Sequence, residues 1–341
     1  MMRVVVFGAT GFIGGAIARR FLREGAEVHA TARDATSAAV LEAAGMRVFD
    51  AQLGDPSSLA KAAEGCSHAI HAAGIRDRRA TRKVLGWAHV AGTENVIAAC
   101  RHAGIRRLTH VSCADVTLSP KPRVNWNEDR VLPSRGFDAH AETMARAEES
   151  VIGAGVGALS TVVLRPAFVW GPGGETKSSW GTAAEICQEG LKAGLPLYSK
   201  GERFVGVTFI ENVAQAAWLT TQHEGAAGSV FHIVDAEMTL AGEFFRSLSE
   251  ALKLPPPRRG PGLTTSRALA WFGRFGGGGT PDTDILRRAQ SHSFDSSRAR
   301  DQLAFVAETG QAEGMNALSA WALDLGGKEV LAGAVKPTPA S

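Results

Sequence analysis

The chain's fold is constrained most by its first fourteen residues. Val4-Val5-Val6-Phe7 is an unbroken apolar run that ends in Gly8-Ala9-Thr10-Gly11-Phe12-Ile13-Gly14, and Ile17 and Phe21 then continue at helical spacing. A run apolar at every position predicts a strand buried on both faces. Glycine at every third position predicts a tight turn opening a helix: Gly8 lets the chain leave the strand sharply, Gly11 removes a side chain beside the turn, and Gly14 lets helix and strand pack closely. Unpaired N–H groups and the helix dipole favour an anion at such a helix start. With a strand before it and a helix after it, the G-x-x-G-x-x-G stretch reads as a dinucleotide site. Its cofactor-binding residues are Gly8, Thr10, Gly11, Phe12, Ile13 and Gly14.

The following segments repeat the alternation. A second strand, 27–31, runs into Ala32-Arg33-Asp34. An acidic residue here receives the ribose hydroxyls of NAD, whereas a cation suits the extra phosphate of NADP, so Arg33 predicts NADP(H), with Asp34 as the competing residue. Residues 46–53 read as a third strand, with Gln52 and Leu53 at the cofactor edge, and Asp55-Pro56 as a helix start. The fourth strand, 67–74, ends in Ala72-Ala73-Gly74, small enough to lie against a ribose or nicotinamide. A long helix over 81–102, a strand over 107–113, a helix over 138–152 and a strand over 160–165 stopped by Pro166 complete the pattern. This is an α/β, doubly wound parallel sheet of Rossmann type.

Beyond Pro166 the rhythm changes. Residues 1–166, with returning segments near 205–235, form the expected nucleotide domain; 167–204 and 236–330 form a smaller, mainly helical substrate domain, and 332–341 a disordered tail. At 341 residues the chain is long for one core. No run approaches the roughly 18 apolar residues of a membrane span, and a net charge of +3 is too small to imply nucleic acid. The start of the chain offers no signal-peptide core, which predicts a cytoplasmic protein. Cys66, Cys100, Cys113 and Cys187 show neither metal-ligand spacing nor a disulfide pattern.

Several motifs together resemble the extended short-chain dehydrogenase/reductases, over residues 3–326. Besides the glycine turn, these are Gly92-Thr93-Glu94-Asn95-Val96, Leu164-Arg165-Pro166 with Val169-Trp170-Gly171-Pro172-Gly173, Ile210-Glu211-Asn212-Val213-Ala214 and Phe294-Asp295-Ser296-Ser297-Arg298-Ala299. Residues 30–34 look most like dihydroflavonol reductases, and the carboxy-terminal segment like 3β-hydroxysteroid dehydrogenases. The resemblance implies NAD or NADP, oxidation, reduction, epimerisation or dehydration, and a homodimer through the two long helices. It also implies an active site of Asn, Ser or Thr, and Tyr-x-x-x-Lys. Here the Asn position is His89, and the Ser/Thr position is Cys113, or Ser112 after a one-residue slip. Counting back from Ala147-Glu148, the Tyr position is His140 and the Lys position Met144. The chain's single tyrosine, Tyr198, lies outside this helix.

The replacement is chemically coherent. In the family the lysine holds the nicotinamide ribose and lowers the tyrosine pKa from about 10, whereas an unperturbed imidazole titrates at about 6.5 without help. His140 is therefore the expected general acid or base, while the cofactor carries the hydride. Two other classes stay open. Cys113 beside His140 would make a nucleophile for a lyase, isomerase or acyl-transfer enzyme on a retained scaffold; loss of both motif residues would equally leave a non-catalytic NADP(H)-binding sensor. The apolar stretch 263–275, with Leu269, Trp271, Phe272 and Phe275 before the glycines 276–279, predicts a pocket wall or lid and a hydrophobic carbonyl or alcohol substrate. Arg258 and Arg259 are candidate contacts for an anionic substrate group.

Overall fold

A computed structural model describes residues 1–78, 80–130, 132–133, 136–236, 238–265, 268 and 282–333. The first half alternates strand and helix as expected: β1 (Arg3–Phe7), α1 (Phe12–Arg23), β2 (Glu27–Ala32), α2 (Ala35–Ala43), β3 (Arg47–Asp50), α3 (Pro56–Ala63) and β4 (His68–His71). Asp55 caps α3 by accepting from Ser57 and Ser58, with Pro56 in its first turn. The long rod that follows is α4 (Arg82–Gly86), a π turn (Trp87–Ala91) and α5 (Gly92–His102), capped by Thr81. Then come β5 (Arg107–Val111), β6 (Arg123–Trp126), α6 (Ala139–Ala154), β7 (Ser160–Pro166) and β8 (Phe168–Trp170).

Seven strands form one parallel sheet in the order β11-β7-β5-β4-β1-β2-β3, where β11 is Val230–Ile233. The order reverses between β1 and β4, so the carboxyl ends of these two strands flank a crevice, the usual ligand position in such sheets. Residues of β1 divide between two layers. Val4 and Val6 share a core with Ile17 and Phe21 of α1, whereas Val5 and Phe7 share one with Leu59, Val96 and Val151 on the other face. That division explains the absence of polar alternation in the strand. Burying Phe7 and Phe21, both 0% exposed, contributes about 1.5–3 kcal/mol each.

The second half is mainly helical, as expected, and also carries short strands. After α7 (Gly181–Gly190), β9 (Pro196–Leu197), β10 (Val207–Phe209), α8 (Ile210–Gln222), α9 (Ala241–Ala251), β12 (Arg258–Arg259) and β13 (His292–Phe294), three two-stranded parallel ladders are present: β8 with β10, β9 with β12, and β6 with β13. Neither β6 nor β13 has a self-sufficient apolar pattern. Each forms because the other supplies hydrogen bonds, and Asn125 adopts a positive φ of 48° within β6. The pairing also carries 123–126, numbered among the nucleotide-domain residues, onto the carboxy-terminal half.

Asp235, just after β11, ties these parts together. Its carboxylate accepts from Phe209 N at 2.8 Å, Asn212 Nδ2 at 2.7 Å and Trp170 Nε1 at 3.1 Å. Of the expected lid, Leu269, Trp271, Phe272, Phe275 and glycines 276–279 lie outside the described residues, as does the tail from 334. Ala332 is not part of a disordered tail, because it closes the helix Lys328–Ala332.

Candidate active site

The glycine turn is shaped by close approach. Gly8 has φ +92°, and a Cβ there would sit 2.7 Å from the Ala73 backbone; at Gly14 a Cβ would collide with the carbonyl oxygen of Gly8. Gly11 donates to Gly8 O at 3.0 Å and caps α1 with no side-chain hydrogen bond. The first-turn N–H groups of Phe12, Ile13 and Gly14 therefore have no capping side chain competing for them. Such an end fits a pyrophosphate. Thr10 and Phe12 are joined to the second half of the chain: Ser178 Oγ donates to Thr10 O at 3.3 Å, and the Phe12 ring packs where Gly181 lacks a side chain.

The other expected cofactor residues differ in their surroundings. Ala72 and Ala73 are half-buried against Gly8, and Gly74 is exposed beside the His89 ring. Gln52 is exposed, while Leu53 packs on Gly92 and its carbonyl accepts from Asn95 at 2.7 Å. Met144 and Pro166 are buried. At the end of β2 the two competing residues have different surroundings. Asp34 caps α2, its Oδ1 accepting from Ser37 N at 2.8 Å, which holds its carboxyl below the usual range. Arg33 is exposed.

His140 lies in the first turn of α6, whose cap is Asp138. Asp138 Oδ1 accepts from Ala141 N at 2.7 Å, and its Oδ2 faces Arg78 Nη1 at 3.0 Å. Arg78, from the segment after β4, also pairs with Asp115. Burial opposes the Arg78 charge, but these two carboxylates outweigh it and raise the guanidinium pKa. The residues around His140 leave it neutral: burial, then the charge of Arg78, pushes the imidazole down to about 3, against a smaller opposing pull from Asp115 and Asp138. Its Nδ1 is buried without a hydrogen-bond partner among the described residues.

His89, in the π turn, is fully engaged. Its Nδ1 meets Thr143 Oγ1 at 2.8 Å, and its Nε2 lies 3.0 Å from Ile75 O and 3.3 Å from Ile75 N. It thus binds the segment after β4 to α6, and its ring stands edge-on to His140 with centroids 5.0 Å apart. Ser112 is also occupied, donating to Glu148 in a buried network where Arg165 Nη2 meets Glu148 Oε2 at 2.6 Å. Cys113 is half-buried, and burial with the nearby Asp115 pushes its thiol up to about 12. No hydrogen bond joins Cys113 to His140. Burial pushes the thiol up to about 12 and the imidazole down to about 3, directions that favour the protonated thiol over the thiolate that the expected Cys-His nucleophile needs.

Sequence reasoning passed over Arg78, Asp115 and the Glu148–Arg165 pair. Asp138 carried a signal, being an N-cap residue before a helical segment. Arg78 carried none, since it sits in a connecting segment whose course is set by tertiary contacts. Among the described residues no three His, Cys, Asp or Glu side chains are grouped as metal ligands.

A parallel sheet with a glycine turn at its switch point defines the class of Rossmann-type dinucleotide folds. The profile of the 3-beta hydroxysteroid dehydrogenase/isomerase family matches residues 5–259, and the chain belongs to that family, within the extended short-chain dehydrogenase/reductases. It is 30% identical to a 2-alkyl-3-oxoalkanoate reductase of Stenotrophomonas maltophilia over 74% of this chain and 77% of that one. It is 35% identical to 4-hydroxy-2-methyl-3-oxo-4-farnesyl-3,4-dihydroquinoline-1-oxide ketoreductase of Stigmatella aurantiaca, a match spanning 50% of this chain and about half, 51%, of that relative. The fold is shared with MoeE5, solved with UDP-glucose and NAD, at TM-score 0.74 and 21% identity over 95% of this chain and 99% of that one.

Proposed function

We propose that the chain is an NADP(H)-dependent oxidoreductase that reduces a hydrophobic carbonyl compound, with His140 taking the position of the family's tyrosine. The observation that carries this reading is the placement of His140 in the first turn of α6, behind the Asp138 cap that Arg78 pairs and edge-on to His89, where burial and the Arg78 charge keep the imidazole neutral. The bound nicotinamide would supply the hydride. A neutral imidazole is a poor base but donates a hydrogen bond, so His140 polarises a carbonyl oxygen as charge develops on it. Alcohol oxidation needs a proton acceptor, which an imidazole at about 3 does not provide near neutrality. Reduction equally needs a proton for the alkoxide that hydride addition leaves, and water supplies it, so the direction rests on the relatives' names, a ketoreductase and an oxoalkanoate reductase.

Arg33 supports NADP over NAD, because Asp34 is turned to its helix cap and only the guanidinium is available to a 2′-phosphate. The names of the two relatives, a ketoreductase and an oxoalkanoate reductase, support a carbonyl substrate with apolar parts. A homodimer through α5 and α6 is supported by the exposure of Trp87, 53% in the π turn before α5, and of Ile152, 44% in α6. No helix among the described residues is long and apolar enough to cross a membrane, which accords with a cytoplasmic enzyme. The test is NADPH oxidation with a panel of apolar ketones. Turnover that falls about a hundredfold in His140→Ala supports the assignment; turnover unchanged in that variant refutes the role given to His140.

A further inference from the structure

Among the described residues, Arg203 is a buried cation without a counterion. Only 6% of it is exposed, and neither Nε nor Nη1 has a hydrogen-bond partner among the described residues. Burial, reinforced by the nearby Arg288, pushes its pKa down to about 10, so it is still charged at neutral pH. Burying a guanidinium unpaired is costly, and folded chains normally satisfy such a group. Arg258 and Arg259, the sequence candidates for an anionic group, are exposed on β12 and carry no such cost.

The local chain is built to hold Arg203 there. Ser199, Lys200 and Gly201 all have positive φ, at 49°, 57° and 80°. Ser199 Oγ anchors the turn on Ala289 O at 2.7 Å, and Arg203 O accepts from Ala241 N at 2.9 Å. Arg203 adjoins β13, where Phe204 O accepts from His292 N at 3.0 Å and Val205 pairs with His292; the charge of Asp115, which pairs with Arg78 beside the α6 cap, acts on the same His292. We propose that Arg203 binds an acidic group of the substrate, so that the chain accepts apolar carbonyl compounds carrying a carboxylate. This rests on the carbonyl-reductase reading for the word substrate, but the anion site itself does not need hydride transfer.

The test is calorimetric titration of the full chain with octanoate and with 1-octanol, repeated with Arg203→Gln and Arg203→Met. Octanoate is expected to bind at least tenfold more tightly than octanol, and both variants are expected to abolish that preference. Both variants are also expected to melt, without ligand, at or above the temperature of the unsubstituted protein, because they remove an unpaired buried charge. A structural arginine would give the opposite melting shift. Octanoate binding no tighter than octanol, or an unchanged preference in the variants, overturns the proposal. Octanoate selectivity in a protein that oxidises no NADPH would contradict the reductase reading and leave the anion site standing.

Discussion

Asp138 serves Arg78 and α6 at once. One carboxylate oxygen caps the helix at Ala141 N, 2.7 Å away, and the other receives Arg78 Nη1 at 3.0 Å. The cation that depresses His140 is thus fastened to the cap of the helix that presents His140. Replacing Arg78 with Met removes the charge and leaves Asp115 and Asp138 without it. The His140 pKa is then expected to rise, because the remaining nearby carboxylates favour imidazolium. Histidine titration by NMR reads this directly, and an unmoved His140 resonance would refute the coupling. The same variant loses charge-assisted hydrogen bonds, at a cost of about 1.5–3 kcal/mol.

Buried histidines make the fold sensitive to acid. Burial pushes His71, His140 and His232 down to about 3 and His292 to about 4, and holds His110 well below its ordinary value. Each is lowered in the folded chain, so the unfolded chain binds more protons between about pH 6.5 and the folded values. Their contribution is present above about 6.5 and is lost as pH falls. Each imidazole protonated only on unfolding steepens the loss by about 1.4 kcal/mol per pH unit. Urea unfolding between pH 7.5 and 5 is expected to show a falling midpoint; a flat profile would contradict the burial of these rings.

Glu148 and Ser112 separate structure from catalysis. The Arg165–Glu148 pair is nearly closed to solvent, with side chains 5% and 1% exposed. Glu148→Gln strands a buried guanidinium and is expected to cost about 3–5 kcal/mol in urea unfolding. Ser112→Ala removes one hydrogen bond to that carboxylate and is expected to cost about 1 kcal/mol with turnover retained. Turnover lost in stably folded Ser112→Ala would return Ser112 to the catalytic set.

Cys113 is expected to react slowly with iodoacetamide at pH 7.5, since a thiol pushed up to about 12 supplies little thiolate. Cys113→Ser should keep NADPH turnover. Alkylation as fast as that of a free cysteine peptide, with loss of activity, would revive nucleophilic catalysis.

The sheet was legible because its signals are local. The apolar run of β1, the glycines that follow it and the Asp55-Pro56 cap each declare their conformation within a few residues, and the structure places them as read. The β6–β13 ladder was not legible, because its strands are 165 residues apart and depend on each other for their hydrogen bonds. The site divides in the same way. His140 could be located from motif spacing, but its neutrality comes from burial and then from Arg78, which sequence separates from it by sixty-two positions. Likewise, Ser112 and Cys113 are neighbours in sequence, and only packing against Glu148 and Asp115 distinguishes them.

The central claim is an NADP(H) site read by Arg33, and fluorescence titration with NADPH and NADH, with Arg33→Ala alongside, tests it most directly. NADPH is expected to bind at least about tenfold more tightly than NADH, a difference of about 1.4 kcal/mol, and Arg33→Ala should bring the two together. Equal affinities in the unsubstituted protein would contradict the assignment of Arg33, and binding of neither nucleotide would contradict the reductase altogether.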